Sequence, residues 1–119
     1  MIRALFAIVF IGVTLTAGWA GEADVIAVKA RVIGDRLQVS VTVQHADTGW
    51  DHYADRWDIL APDGQVLGER VLFHPHVNEQ PFTRQHTIPW SGDFDEITIR
   101  AHDSVHGLGG AEMTVPITR

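Results

Sequence analysis

The sequence contains no cysteine, and its single lysine is Lys29. Without cysteine the chain can form no disulfide bond and can offer no thiolate as a nucleophile or metal ligand. The formal net charge is −6 at pH 7, and it becomes more negative if Arg3 is removed with an N-terminal leader. Acidic domains bind nucleic acids and anionic membranes poorly. We therefore expect no nucleic-acid partner, and a cation or a protein suits the charge better.

Long apolar runs are also scarce, and the one present lies at the N terminus. Met1, Ile2 and Arg3 precede the block ALFAIVFIGVTL and the small-residue stretch TAGWA. This order predicts a secretory signal peptide over residues 1–20, cleaved after Ala20. The alternative is an uncleaved membrane anchor, since the run approaches the length that spans a bilayer. We expect a periplasmic or secreted domain of residues 21–119, with membrane contact only if the leader is retained.

The remainder of the chain alternates apolar and polar residues at period two, with turn residues at spacings of about ten. This pattern predicts strands and no helix. Seven strands are expected, at about residues 26–32, 37–43, 55–61, 66–73, 82–88, 94–101 and 111–117.

Seven short strands in one domain are typical of an all-β, antiparallel sandwich of the immunoglobulin or fibronectin type III kind. A small barrel is the alternative. Trp57 is expected at the centre of the core, and Ile26 on the inward face of the first strand. Pro116 lacks a backbone donor, which predicts that the last strand lies at a sheet edge.

Chain reversal predicts where the loops gather, because alternate connections between antiparallel strands lie at the same end. Three long connections share one end: HADTGWDHYAD, HPHVNEQP and HDSVHGLGG. The turns at residues 34–35, 62–64 and 90–93 lie at the other. Six of the seven histidines are thus expected at one end: His45, His52, His74, His76, His102 and His106.

Neutral imidazole is a common metal ligand, and a set of nitrogen and oxygen donors suits Zn, Cu or Fe. The predicted function is therefore a periplasmic metal-binding protein. The expected ligands are His74, His76, His102 and His106, with His52 as a fifth candidate. Nearby carboxylates could orient the imidazoles or bind the metal themselves: Asp47, Asp51, Asp55, Glu79 and Asp103.

Other interpretations remain open. His45 continues the inward face of its strand and is interpreted as a structural histidine, as is His86. The loops could instead form a protein-interaction or adaptor surface, with Trp50 and Tyr53 as contact residues and a structural histidine network. No nucleophile elbow or phosphate-binding loop is present. We assign no catalytic residue, and whether the protein is an enzyme stays open.

The segments GWDHYADRWDILAPDG, VLFHPHVNEQPFTR and AHDSVHG resemble those of short, signal-bearing bacterial proteins of uncharacterised activity. The resemblance implies a secreted, immunoglobulin-like β-sandwich and carries no activity. A fainter similarity is to superoxide reductase domains, which bind iron through histidines and a Cys-Asn-x-His-Gly motif. Asp103 stands in place of that cysteine, so the similarity does not imply reductase activity.

Overall fold

The computed structural model describes the backbone of residues 14–15 and all of residues 21–119. This part of the chain forms strands, turns and loops, and no helix in it is long and apolar enough to cross a membrane. The predicted leader lies largely outside the described residues. The strands are β1 (Thr14–Leu15), β2 (Asp24–Ile33), β3 (Arg36–Gln44), β4 (Ala54–Leu60), β5 (Val66–Val71), β6 (Phe82–Pro89), β7 (Glu96–Asp103) and β8 (Met113–Pro116).

Two antiparallel sheets make up the fold. One has the order β1-β8-β7-β4-β5 and the other the order β2-β3-β6. The seven strands expected between residues 21 and 119 are all present, with bounds within a few residues of the prediction. The all-β class is therefore confirmed.

The core lies between the sheets and follows from the alternation. In β3, Leu37, Val39, Val41 and Val43 are fully buried. They face Trp57, Ile59, Ile97 and Ile99 of the other sheet within one apolar cluster. Each such side chain contributes about 1.5–3 kcal/mol on leaving water. Burial of this kind stabilises the sandwich without disulfide bonds.

Two details differ from the expectation. Ile26 is 40% exposed, because a β-bulge between Val25 and Ala27 shifts the alternation of side chains so that Val25 is buried in the core instead. Strand β8 is not at an edge among the described residues, since Thr14 and Leu15 pair with Thr114 and Met113.

The connections divide into two ends, as chain reversal requires. The turn end consists of residues 34–35, 61–65 and 90–95, and the histidine end of residues 45–53, 72–81 and 104–112. At the histidine end, the backbone N–H of His45 donates to the side chain of Gln80 at 2.9 Å. The backbone N–H of Ser104 donates to the carbonyl of Tyr53 at 2.9 Å. The three long loops therefore meet, which confirms the predicted gathering.

Candidate metal site

His45 lies just beyond β3 and continues its inward face. The residue is only 3% exposed. Its Nδ1 is hydrogen-bonded to the carboxylate of Asp47, and its Nε2 to the carboxylate of Asp103. The imidazole thus lies between two carboxylates in the interior of the histidine end.

His52 approaches the same point from the loop between β3 and β4. Its Nε2 lies 2.6 Å from Oδ2 of Asp103. The carbonyl oxygen of Gly21 lies 3.0 Å from Nε2 of His45 and 3.1 Å from Nε2 of His52. One ligand atom from each of His45, His52 and Asp103 falls within 4.8 Å of the others, so this buried group has the geometry to hold a metal ion.

Asp103 is the last residue of β7 and is fully buried. Its Oδ1 accepts hydrogen bonds from the backbone N–H groups of Val105 at 2.6 Å and His106 at 2.7 Å. Burial by itself favours the protonated form, but these N–H groups together with the rings of His52 and His45 hold the pKa of Asp103 far below its usual range. Asp103 is therefore a carboxylate at neutral pH.

Asp47 fixes the orientation of His45. Its Oδ1 also accepts a hydrogen bond from the backbone N–H of Ala54 at 3.1 Å, and its Oδ2 one from that of His76 at 2.6 Å. Burial by itself lowers the pKa of His45, but the hydrogen bonds and charges of Asp47 and Asp103 outweigh it and raise that pKa. Between these two carboxylates His45 donates from both ring nitrogens, so a metal bound at Nε2 would displace the proton shared with Asp103, while Asp47 keeps the proton on Nδ1.

The predicted ligands His106 and His102 occupy different places. Nδ1 of His106 lies 3.4 Å from Oδ1 of Asp103, and its ring centroid lies 4.9 Å from that of His52, at the exposed side of the group. His102 is on the opposite face of β7 from Asp103, where its Nδ1 lies 2.6 Å from Asp55. The structure brings His106 to the group and leaves His102 outside it.

The predicted pair His74 and His76 forms a separate feature, with ring centroids 4.8 Å apart. His76 is buried and stacks on Phe82 at 4.0 Å, while Nη2 of Arg84 lies 3.0 Å from its Nε2. Burial, followed by the charge of Arg84, lowers the pKa of His76. His74 is exposed. Neither ring belongs to the group formed by His45, His52 and Asp103.

The predicted contact residues lie at the surface of the histidine end. Trp50 is 67% exposed, and its ring meets that of Tyr53 edge to face with centroids 5.6 Å apart. Tyr53 is half-buried; its backbone N–H donates to Oγ of Ser104, and its carbonyl oxygen accepts from the backbone N–H of Ser104.

Sequence reasoning misses His45 as a candidate ligand and includes Asp103 only among five carboxylates that could orient an imidazole or bind the metal. A signal for both exists in the pattern. His45 follows the buried positions Val41 and Val43, and Asp103 follows Ile99 and Ala101, each at the same period of two. A polar residue that continues an inward face at a strand end is therefore a candidate for a buried site.

No family model and no solved structure matches the chain. A protein of Halomicrobium mukohataei described as "Putative lipoprotein" is 41% identical over 95 residues, which cover 79% of this chain and 47% of that protein. The chain thus spans about half the length of the curated relative it matches. The similarity to superoxide reductases receives no support from these matches.

Proposed function

We propose that the protein binds a divalent transition-metal ion through Nε2 of His45, Nε2 of His52 and the carboxylate of Asp103. The observation that carries this proposal is the arrangement around His45. Asp47 holds one ring nitrogen, and the other points to the place where a second imidazole and a buried carboxylate converge. Carboxylate, histidine and metal in that order form a recurrent unit of protein metal sites.

The donor set bears on the identity of the metal. Two imidazole nitrogens and one carboxylate suit Zn²⁺ and non-haem Fe²⁺, with Cu²⁺ as a further option and sulfur-preferring Cu⁺ disfavoured. We expect His106 to serve as a fourth ligand from the exposed side, because its Nδ1 lies 3.4 Å from Oδ1 of Asp103 and its ring centroid 4.9 Å from that of His52.

The remaining predicted ligands have other roles in this proposal. His76 supports the site indirectly, because its backbone N–H donates to Asp47, which orients His45. His74 and His102 lie outside the ligand set, and His102 is paired with Asp55.

We also propose that the domain is an exported sandwich of the fibronectin type III kind. Strand β5 pairs with its hairpin partner β4, and the chain then crosses to the other sheet to place β6 beside β3, a Greek-key path. Export is supported by the predicted leader and by the relative's description as a "Putative lipoprotein". This chain has no cysteine to carry a lipid, so we expect the cleaved form to be free in the periplasm or secreted.

Zinc titration of tag-free, metal-stripped protein against a chromophoric chelator tests the metal proposal. The parent is expected to bind one Zn²⁺, and His52→Ala to bind it at least about 100-fold more weakly, a larger loss than removal of a supporting residue causes. His74→Ala is the matched control, since it removes an exposed imidazole outside the group and should retain the parental affinity. Parental affinity in His52→Ala, or no zinc in the parent, would contradict the proposal.

A second candidate function is a protein-binding surface at the same end. Exposed apolar side chains come from all three long loops: Trp50, Phe73, Val77, Val105 and Leu108. Exposed aromatic residues commonly anchor protein contacts. A Trp50→Ala, Phe73→Ala variant should lose any partner that the parent retains from a periplasmic extract while binding zinc normally. Equal retention by both proteins would remove this candidate.

A further inference from the structure

The backbone of Gly21 forms part of the wall of the proposed metal site. Its carbonyl oxygen faces Nε2 of both His45 and His52. A Cβ added at Gly21 would lie 3.1 Å from Cε1 of His106, and φ of Gly21 is +91°. A side chain is therefore disfavoured at this position by both space and backbone conformation. Three imidazoles surround the residue that would become the N terminus on cleavage after Ala20.

The segment that follows Gly21 is firmly anchored. Ala23 is fully buried, and a Cβ added at Gly110 would lie 1.9 Å from its carbonyl oxygen, so the two backbones pack directly on each other. The backbone N–H of Val25 donates to Ala111 at 2.8 Å, and that of Ala111 donates to the side chain of Asp24 at 2.7 Å. These contacts hold Gly21 beside the histidines.

Glu22 supplies an independent indication of a cation here. Its Oε2 is buried and has no hydrogen-bond partner within residues 21–119. The carboxylate is confined beside Gly109, where an added Cβ would lie 2.8 Å from the same oxygen. Burying a carboxylate oxygen that accepts no hydrogen bond costs folding free energy unless a positive group lies nearby. In the metal-free protein the α-ammonium of a processed chain, one residue away, would be such a group, and a metal ion bound to the deprotonated amine would take its place.

We propose that the mature N terminus is itself a ligand, so that the α-amine and carbonyl oxygen of Gly21 complete the metal site with His45, His52 and Asp103. Signal peptidase would hydrolyse the bond between Ala20 and Gly21: water supplies the hydroxyl that makes Ala20 a carboxylic acid and the proton that makes Gly21 an amine. The acid proton passes to the amine, which gives a carboxylate and an ammonium, and metal binding releases that ammonium proton to solvent. The amide nitrogen of the precursor has no available lone pair, whereas the amine does. An amine and a carbonyl on one residue close a five-membered ring around a metal.

This inference rests on the proposed function and adds regulation to it, because export and cleavage become the step that creates full metal affinity. Before cleavage the site offers imidazoles, a carboxylate and a carbonyl, and after cleavage it gains a nitrogen donor. The precursor should therefore bind metal more weakly than the mature protein.

The single lysine makes a selective test possible. In Lys29→Arg, produced from the precursor with its own leader and collected from a bacterial periplasm, the α-amine is the only primary amine. Intact mass should show a chain that begins at Gly21. One portion is acetylated, which abolishes the lone pair, and a second is reductively dimethylated, which adds similar bulk and keeps the lone pair.

Zinc affinity of the three forms is then measured by chelator competition. Acetylation is expected to weaken binding at least about 10-fold, within the range seen for a lost contributor to a metal site. The dimethylated form should bind more tightly than the acetylated form. In His52→Ala, Lys29→Arg the same acetylation should change zinc affinity much less, because the amine acts together with the histidines.

The outcomes separate the two proposals. Equal affinity of the free and acetylated forms, equal losses with and without His52, or a mature chain that begins at another residue would overturn this inference and leave the histidine site standing. Absence of zinc binding by the untreated protein would remove both.

Discussion

The two ends of the sandwich share the same strands and differ in what occupies their inward positions. At the turn end the polar contacts are exposed, such as Ser91 with Asp93 and Arg119 with Asp95. Among the described residues the buried polar side chains are His45, Asp47, His76 and Asp103 at the histidine end, and Asp58 within β4. Burying such groups is costly unless they satisfy one another. Four of these five side chains lie at the histidine end, where the candidate metal site also lies.

The largest expected effect comes from Asp103→Asn. Asparagine has one acceptor oxygen where Asp103 now serves two backbone N–H groups and two imidazoles. Breaking a buried charged network of this kind costs about 3–5 kcal/mol of unfolding free energy. Denaturant unfolding in chelating buffer measures it. Asp63→Asn is the matched control, because Asp63 is exposed at the turn end and accepts one backbone hydrogen bond. Equal losses from the two substitutions would contradict the contrast between the ends.

A second substitution tests how the buried group is oriented. Asp47→Asn keeps the shape and removes the charge that holds the proton on Nδ1 of His45. Zinc affinity is expected to fall about 10–100-fold, as for other residues that orient a metal-binding histidine. Asp55→Asn is its control, since Asp55 pairs with His102 outside the group and should leave zinc affinity unchanged. Loss of affinity in Asp55→Asn alone would move the site to His102.

Most of the fold can be predicted from the sequence, because the alternation of apolar and polar residues at period two shows which side chains enter the core. It predicts the strands, the buried Trp57 and the meeting of the three loops. It fails at Ile26, where a bulge shifts the register without a local sequence signal. Within the histidine end it cannot decide which rings converge. That depends on loop backbone geometry, which leaves His74 at the surface and brings His52 to Asp103.

A smaller effect is expected from His86, which lies within β6, away from both ends of the sandwich. Burial, followed by the charge of Arg70, lowers its pKa. Below about pH 6.5 the unfolded chain therefore binds a proton at His86 more readily than the folded chain does. As a result, the stability contributed by neutral His86 is lost as pH falls below about 6.5. The drop in unfolding free energy between pH 7.5 and pH 5 should be smaller in His86→Gln than in the parent. An unchanged or larger drop would contradict this assignment.

The smallest effect is expected from Trp50→Ala. Trp50 is 67% exposed, so its removal should change the unfolding free energy by no more than about 0.5 kcal/mol. Trp57→Ala provides the contrast, since Trp57 is fully buried and its loss should cost about 3–5 kcal/mol. A large destabilisation by Trp50→Ala would show that the exposed aromatic supports the loop end instead of serving as a contact surface.

The most direct measurement is anomalous diffraction at the zinc edge from crystals of the mature protein grown with one equivalent of Zn²⁺. The account predicts one strong peak about 2.0–2.2 Å from Nε2 of His45, Nε2 of His52 and a carboxylate oxygen of Asp103. A peak bound instead by His74 and His76, with His45 still bridging Asp47 and Asp103, would contradict it.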